Sequence, residues 1–364
     1  MYIMSNVFKR ISNKLLLLCI FTLVFIKITF YYLIKNDYLS LSLGGGNDSD
    51  YYHDYALGYV DIAVNIWPVI LRFFNDLGFY SRDGISYLFL FINLFIIPFL
   101  VAKLSGINFQ KNQKYYLYST LLCLIYPTLF FYIFDIYRDV FMTFSFLIGC
   151  WIVKKSLISS SFFSFSLLYI LAILIGLFLL ALRPYLGYAF LLALALWKIK
   201  LTKKRIYLFL LLYLLALFIA NYIGLLERLT EYRSGFEDGG GGSTLGLNFS
   251  NPVMFIPNLI LSTLGQLFGL YVTNPFAIIL LLVETVPFFG MLVYVVRNIN
   301  LADNFIRFLI IFFVLYASVW LIGNDNLGTA IRLRIYNYFA IYICFFYILS
   351  IKSSYLKSSK VSNK

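Results

Sequence analysis

Long apolar stretches of about 20 residues recur from one end of this chain to the other. A helix of that length crosses the hydrocarbon core of a bilayer. A soluble chain of 364 residues would be far more polar than the 62% hydrophobic composition and the mean hydropathy of +0.87 found here. The pattern therefore predicts an all-α, polytopic transmembrane protein.

The apolar pattern predicts ten spans within a single integral membrane domain, residues 1–364. The spans are 15–34, 85–104, 115–134, 140–153, 162–182, 184–197, 206–226, 275–296, 306–322 and 335–350. Two other apolar segments contain polar or helix-breaking residues. Residues 56–76 predict an amphipathic helix at the interface, and residues 252–273 predict a re-entrant or interfacial segment.

Basic residues predict which side of the membrane each loop occupies. With ten spans, most of the 29 lysines and arginines share one side with both termini, and a cytoplasmic tail occupies residues 351–364. Loops enriched in lysine are typical of the cytoplasmic side, so the net charge of +13 does not indicate nucleic-acid binding. The four cysteines lie inside apolar runs, without the spacing of a disulfide or metal site.

The opposite side is rich in arginine, and its polar residues come mainly from outer loops 35–84 and 227–274. All of the 16 acidic residues except Glu284 and Asp303 also fall there. A guanidinium grips phosphate or carboxylate through two parallel hydrogen bonds, whereas lysine acts as a point charge. This distribution predicts a site for an anionic, phosphate-bearing substrate, with solvated loops of paired charges as the alternative.

The only histidine lies in an acidic segment of the first outer loop. His53 is a candidate general base, oriented by Asp50 or Asp54, and either carboxylate is a candidate for the same role. Asp48 and Asp50 are alternatively candidates for holding a divalent cation. A capped, solvated turn leading into the 56–76 helix is the plainer interpretation.

Short links between spans place further charges at the membrane edge. Arg138 and Asp139 join two spans with almost no loop. They are candidates for binding the substrate, and a structural ion pair is the alternative. Arg183 precedes Pro184 and Tyr185, and proline suits the first turn of a helix. An arginine beside a helix N-terminus favours an anion.

Three more arginines belong to later segments. Arg233 lies in the loop 227–255, whose glycines at 239–242 suit either a moving lid or a plain flexible loop. Arg332 and Arg334 enter the last span. A polar cavity or an anion would reduce the free-energy cost of placing their charges within the membrane. Glu284 lies within a span and is a candidate partner for Lys27.

These elements together resemble the Wzy-type polymerases of bacterial O-antigen and capsule repeat units. The resemblance rests on the acidic loop after the first span, Arg138-Asp139, Arg183-Pro184-Tyr185 and the Asn-x-Gly-Thr-x-x-Arg-x-Arg motif ending at Arg334. Such proteins belong to the polytopic, GT-C-like glycosyltransferases of the bacterial inner membrane.

The resemblance implies transfer of a glycan from undecaprenyl pyrophosphate onto another lipid-linked repeat unit at the periplasmic face. The lipid-linked oligosaccharide would be the partner within the bilayer, with a chain-length regulator as a second protein and no resident cofactor. The implied pyrophosphate ligands are Arg183, Arg233, Arg332 and Arg334. Arg138, Asp139 and Tyr185 would shape the substrate pocket, and His53, Asp50 or Asp54 would activate the acceptor hydroxyl.

Three other functions remain open from the sequence. A GT-C transferase could add one sugar from a polyprenyl phosphate, in some cases with a metal at Asp48 and Asp50. An O-antigen ligase shares the donor but uses another acceptor. A flippase for lipid-linked glycans would usually show internal repeats, and the sequence has no convincing repeat.

Overall fold

A computed structural model describes residues 11–39, 46–238 and 243–362. These ranges are helical and contain no strand, which confirms the predicted helical class. Eight of the helices in these ranges are long and apolar enough to cross a membrane. The glycines at 44, 45 and 239–242 and the outermost terminal residues, used in the sequence predictions, lie outside the described residues.

The chain divides into two compact units, Met1–Gly187 and Tyr188–Lys364. The helices that begin in the first unit are α1 Asn13–Lys35, α2 Gly46–Leu57, α3 Ile66–Asp76, α4 Arg82–Leu104, α5 Phe109–Ile125, α6 Pro127–Phe131, α7 Arg138–Ile158, α8 Phe162–Leu182 and α9 Pro184–Leu196. Those of the second unit are α10 Lys203–Tyr222, α11 Glu227–Asp238, α12 Pro252–Leu267, α13 Pro275–Arg297, α14 Asn304–Gly323 and α15 Leu327–Ser362. The eight long apolar helices are α1, α4, α7, α8, α10, α13, α14 and α15.

The least buried of these helices show why the molecule needs a lipid environment. α10 is a 20-residue helix that is apolar after its first three residues, and none of its residues is buried within the protein. Exposing that surface to water would oppose folding, whereas hydrocarbon solvates it without cost. The long apolar helices therefore identify a polytopic helical protein of the membrane-embedded class.

Many helices begin where a short polar side chain caps the first turn. The Ser81 hydroxyl accepts from the Gly84 amide at 3.1 Å, and the Asp303 carboxylate accepts from the Ile306 amide at 2.8 Å. Such caps satisfy amides that have no partner inside the helix. Because each cap directly precedes an apolar run, these helix starts follow from local sequence.

The predicted span 115–134 is not one continuous helix. α5 ends at Ile125, Tyr126 is extended, and α6 restarts at Pro127 for only five residues. Proline lacks an amide hydrogen and disfavours helical backbone in the residue before it, so the helix breaks at this dipeptide. High hydropathy hid this break in the sequence-based assignment.

The acidic first loop and the segment after it also differ from expectation. Asp50, His53 and Asp54 lie on helix α2 rather than in a loop. Gly58 follows this helix with a φ of +86°, so the predicted single helix 56–76 is interrupted and only α3 matches it. The later segment 252–273 contains α12, and the final helix starts at Leu327 rather than near 335.

Loops at one end of the first unit are tied together by polar contacts. The Trp67 indole donates to the Ile136 carbonyl at 2.8 Å, and Lys35 lies 2.8 Å from the Asp83 carboxylate. The loops that contribute these residues are those predicted to share one side of the membrane. Within this unit, α1 packs on α5 and α7 packs on α8.

The second unit is built around α14 and α15. α15 packs against α13 and α14, and the Trp320 indole donates to Asn337 at 3.0 Å between two of these helices. α11 lies against α14, while α12 lies against α10 and α14. This packing brings the starts of α13 and α15 to the same polar region.

Candidate functional site

A cavity of about 240 Å³ lies in the second unit beside the starts of α13 and α15. It combines polar side chains, glycines and a few apolar groups. Its lining is formed by Ser243, Gly265, Gln266, Gly269, Tyr271, Thr273, Asn274, Phe276, Ala277, Leu280, Asn326, Leu327, Gly328, Ala330, Ile331 and Arg334. The volume suits a small polar group rather than an oligosaccharide.

Two helix N-termini line this cavity. Asn274 caps α13 by accepting from the Ala277 amide at 2.9 Å, and Asn326 caps α15 by accepting from the Thr329 amide at 2.8 Å. The Leu327 amide donates to the Ser243 carbonyl at 2.9 Å, which fixes the start of α15 against the preceding loop. The positive ends of both helix dipoles therefore favour an anion here.

Arg334 supplies the charged side chain of the cavity. It is 3% exposed, its Nη2 donates to Glu284 Oε2 at 2.8 Å, and its guanidinium carbon lies 5.3 Å from the centre of the Tyr338 ring. The carboxylate offsets the cost of burying the cation and fixes its direction. Glu284 thus pairs with Arg334, and not with Lys27 as the sequence had suggested; Lys27 lies over the Phe130 ring.

Gly269 makes room for this guanidinium. Its φ is +60°, a conformation that residues with a side chain rarely adopt. A Cβ placed on Gly269 would lie only 2.8 Å from Arg334 Nη1. The glycine is therefore required both by its backbone conformation and by the position of Arg334.

Arg233 is held very differently. Its Nε donates to the Leu247 carbonyl at 2.8 Å, and its Nη1 donates to the Leu321 and Asn324 carbonyls at 3.0 and 2.6 Å. Its Nη2 is bonded to the fully buried Asp325 carboxylate. These contacts tie the region after α11 to the end of α14, so the geometry favours a structural role over the predicted pyrophosphate role.

A buried amide pair supports the wall of the cavity. Gln266 Nε2 donates to the Asn324 carbonyl at 2.8 Å, and Asn324 Nδ2 donates to Gln266 Oε1 at 2.5 Å. Neither Gln266 nor Tyr338 was among the site residues predicted from the sequence. A glutamine in an apolar helix was the available signal for the former, because such a side chain needs a partner in a membrane.

Arg332 does not share the surroundings of Arg334. The two residues are roughly 200° apart around α15, since a helix turns once in about 3.6 residues. Arg332 is half-buried and is absent from the lining of the cavity described above. Only Arg334 of the two predicted arginines borders this cavity.

In the first unit, Arg82 organises the acidic residues. It donates from Nε and Nη2 to the two carboxylate oxygens of Asp135, at 2.8 and 2.5 Å, and from Nη2 to Asp50 at 2.7 Å. Burial opposes ionisation of Asp135, but the hydrogen bonds from Arg82 and from the Ile136 amide outweigh it and hold the pKa of this carboxyl below its ordinary value. The Asp50 carboxylate is therefore bonded to Arg82, whereas His53 is bonded to Tyr80.

His53 has a different partner from the one predicted. Its Nδ1 lies 2.8 Å from the Tyr80 hydroxyl, rather than against a neighbouring carboxylate. Burial raises the pKa of Tyr80 to about 12, so this hydroxyl keeps its proton at neutral pH. A phenol bonded to Nδ1 can fix the orientation of the imidazole ring.

The other predicted residues of the first unit surround the junctions of α7, α8 and α9. Arg138 Nη1 donates to the Leu182 carbonyl at 2.9 Å, at the end of α8, and Asp139 is fully buried in the first turn of α7. Arg183 is buried and follows the last residue of α8, while Tyr185 is half-buried. The expectation that Pro184 starts a helix is confirmed, because α9 begins there.

In the described part of the chain, no three His, Cys, Asp or Glu side chains come together as a metal site would require. Comparison of the chain with protein-family models, with curated proteins and with solved structures gives no match. The long apolar helices define the class, a polytopic helical protein, and its second unit contains a cavity that combines two helix N-termini with a buried arginine.

Proposed function

We propose that this chain is a membrane glycosyltransferase that polymerises lipid-linked repeat units, with undecaprenyl pyrophosphate as the donor carrier and the site at the periplasmic face. The observation that supports this proposal is the cavity bordered by Arg334 and by the starts of α13 and α15. A buried guanidinium and two helix dipoles in one cavity suit a pyrophosphate group.

The reaction needs such a group because the pyrophosphate is the leaving group. The acceptor hydroxyl oxygen attacks the anomeric carbon of the donor glycan, and the bond from that carbon to the pyrophosphate oxygen breaks. The hydroxyl proton passes to a base. Negative charge grows on the departing pyrophosphate, and donors fixed in advance stabilise it more in the transition state than in the substrate.

Glu284 has a supporting role in this proposal. The Glu284 carboxylate bonded to Arg334 fixes the direction of the guanidinium, although it also offsets part of the positive charge. The helix N-termini at Asn274 and Asn326 then supply the remaining positive potential. The cavity would thus bind the pyrophosphate less tightly than an arginine without a carboxylate partner would. Weaker binding favours release of the lipid product.

The deciding experiment supplies the full chain in lipid nanodiscs with a lipid-linked repeat unit alone, and in separate reactions adds a polyprenyl-phosphate-linked sugar or a lipid A core acceptor. We expect a ladder of products that differ by whole repeat units. Addition of one sugar from a polyprenyl phosphate donor, without a ladder, would overturn the polymerase assignment and favour the single-sugar transferase. Transfer only to a lipid A core acceptor would favour a ligase, and lipid translocation without new glycosidic bonds would favour a flippase.

The pair of variants E284Q/R334Q and D61N/R72Q tests the site itself. The first removes both charges of the buried pair together, which avoids leaving one ion uncompensated. The second removes the exposed Arg72–Asp61 pair, whose charged groups lie 3.6 Å apart. We expect the ladder to be lost in the first variant and kept in the second, and equal ladders in both would reject the pyrophosphate role of the cavity.

Arg183 and Arg332 stay predicted ligands and are tested in cells. Arg183→Ala and Arg332→Ala should abolish long-chain polysaccharide while single-repeat material remains. Unchanged chain length in both variants would remove these two arginines from the proposed machinery. His53→Ala tests the base, and full activity in that variant would exclude His53.

A further inference from the structure

Three lysines and a tryptophan surround a second cavity, of about 390 Å³, in the first unit. Lys103 lies in the last turn of α4, and Lys154 and Lys155 lie in the last turns of α7. Both helices begin with acidic residues, Asp83 and Asp139, at their other ends. The basic cavity is therefore separate from the acidic cluster around Arg82.

The three ammonium groups are held in place by their neighbours. Lys103 and Lys155 each lie 5.2 Å from the centre of the Trp151 ring, within the range of a cation–π contact. Lys154 donates to the carbonyls of Lys103 and Leu104 at 3.2 and 2.7 Å. These carbonyls end α4, so the bonds join the two helix ends and position the lysines at one site.

The sequence around this cavity has no acidic residue to balance the lysines. Residues 84–134 and 140–226 contain neither aspartate nor glutamate. Asp139 is the nearest carboxylate of α7, and about 1.5 Å of rise per residue puts it roughly 20 Å along the helix from Lys154. At that distance its field is largely screened, so the cavity keeps a positive potential.

The same cavity opens beside an apolar surface. Ile158 and Leu168 contribute to its lining. Phe162 and Phe163 follow on the chain and are 85% and 77% exposed, as suits a surface that faces lipid tails. The serines 159 and 164 add hydroxyl groups to the lining. The site thus combines cations, hydroxyls and an apolar border.

We propose that this cavity binds the phosphodiester headgroup of an anionic phospholipid such as phosphatidylglycerol. Lys103 and Lys155 attract the phosphate, Ser159 and Ser164 suit hydroxyls of the headgroup, and Ile158 with Leu168 contact the first part of the acyl chains. Basic pockets between helices at a membrane surface recognise such lipids. The apolar border selects a phospholipid over inorganic phosphate, which has no part to place there.

Native mass spectrometry of the full chain, stripped of lipid in detergent and then titrated, tests the proposal. We expect phosphatidylglycerol to bind more tightly than phosphatidylcholine. Each removed lysine should weaken binding about five-fold, so K103Q/K155Q should weaken it about 25-fold and K103Q/K154Q/K155Q about 125-fold. The matched control is K198Q/K200Q/K203Q, which removes three lysines from a different part of the chain.

K103Q/K155Q keeps Lys154 and its bonds to the end of α4. The double variant therefore tests the site even if the triple variant fails to fold. K103R/K155R keeps the charges and should retain wild-type affinity. Equal weakening in the lysine control would show a general charge effect and overturn the proposed site. So would equal affinity for phosphatidylcholine, or displacement of phosphatidylglycerol by inorganic phosphate at comparable concentration.

Discussion

Two regions of the second unit each bury an arginine beside a carboxylate, yet the two regions differ in what surrounds the pair. Arg233 is 2% exposed and directs its donors at Asp325 and at a ring of backbone carbonyls. Arg334 is 3% exposed, pairs with Glu284 and borders a cavity lined by two helix starts. Burial alone does not distinguish a structural arginine from one placed to meet a ligand.

The difference lies in the geometry of the acceptors. Carbonyls at the end of α14 are orphan groups that need donors, and Arg233 satisfies several of them at once. Arg334 bonds to the Glu284 carboxylate and lies two to three turns into α15, next to Gly269, whose missing side chain leaves space. We infer that Arg233 stabilises the fold and that Arg334 supplies the positive charge of the cavity.

The largest expected effect tests the structural half of this comparison. Arg233→Ala leaves the Asp325 carboxylate buried without its cation and removes the hydrogen bonds to the Leu247, Leu321 and Asn324 carbonyls, which should cost about 3–5 kcal/mol of stability. A thermal unfolding scan in detergent measures the loss. Arg228→Ala, on the exposed side of the same helix, is the control and should change little. A small loss at Arg233 would mean that its contacts are not structural.

The second prediction tests whether Arg334 depends on the space beside Gly269. Gly269→Ala and Gly246→Ala both place a side chain at a positive φ, at +60° and +64°, which costs about 1–2 kcal/mol each. The added Cβ meets Arg334 only at Gly269, while nothing lies within 4 Å at Gly246. Overpacking should therefore add about 1–3 kcal/mol to the cost of the first variant.

Activity separates the two glycine variants further. Displacing the guanidinium should break its bond to Glu284 and reduce polymer synthesis in Gly269→Ala, whereas Gly246→Ala should remain active. Unfolding temperature and product length are measured on the same preparations. Matching losses in both variants would show that only the backbone conformation matters at Gly269.

A third prediction extends the comparison to a half-buried pair in the first unit. Because the pKa of Asp135 is lowered in the folded protein, its ion pair with Arg82 stabilises the fold above the ordinary pKa of about 3.9. That stabilisation is lost as the pH falls through the folded-state pKa. Asp135→Asn should therefore be less stable than the wild type by about 1–2 kcal/mol at neutral pH, and the gap should close at an acidic pH below the folded-state pKa.

Unfolding temperatures at the two pH values measure the effect. Asp76→Asn, at an exposed position, should show the same stability as the wild type at both. If the gap between Asp135→Asn and the wild type persisted in acid, the carboxylate charge would not be its cause.

Local signals in the sequence account for much of the fold. Apolar runs placed the long helices to within about five residues, except the last, which starts at Leu327 rather than near 335, and Pro184 marked a helix start. Pro127 was an equally clear signal of a helix break, because proline disfavours helical backbone in the residue before it. The prediction of a continuous span 115–134 followed hydropathy instead. The helix α2 was missed because a polar, glycine-led segment has weak helical preference of its own, and its packing on α3 stabilises it.

The site was harder to predict because its pairs are distant in sequence. Glu284 and Arg334 are 50 residues apart, and Arg82 and Asp135 are 53 apart. A single sequence gives each arginine many possible partners on the same side of the membrane, so composition predicted that arginines mattered without saying which ones pair. The cavity beside Arg334 depends on Gly269 and on two helix starts, and only their packing brings these together.

We expect the smallest loss of stability at the exposed ion pair of Arg72 and Asp61. Arg72 lies 3.6 Å from Asp61, and the side chain of Asp61 is 90% exposed. Water solvates both charges, so their attraction contributes about 0–1 kcal/mol and is screened by salt. Arg72→Ala should leave the unfolding temperature nearly unchanged in detergent at both low and high salt, apart from lost packing on the Tyr55 ring. A cost as large as that of Arg233→Ala would contradict the argument that burial and acceptor geometry, rather than pairing itself, determine what an arginine does in this protein.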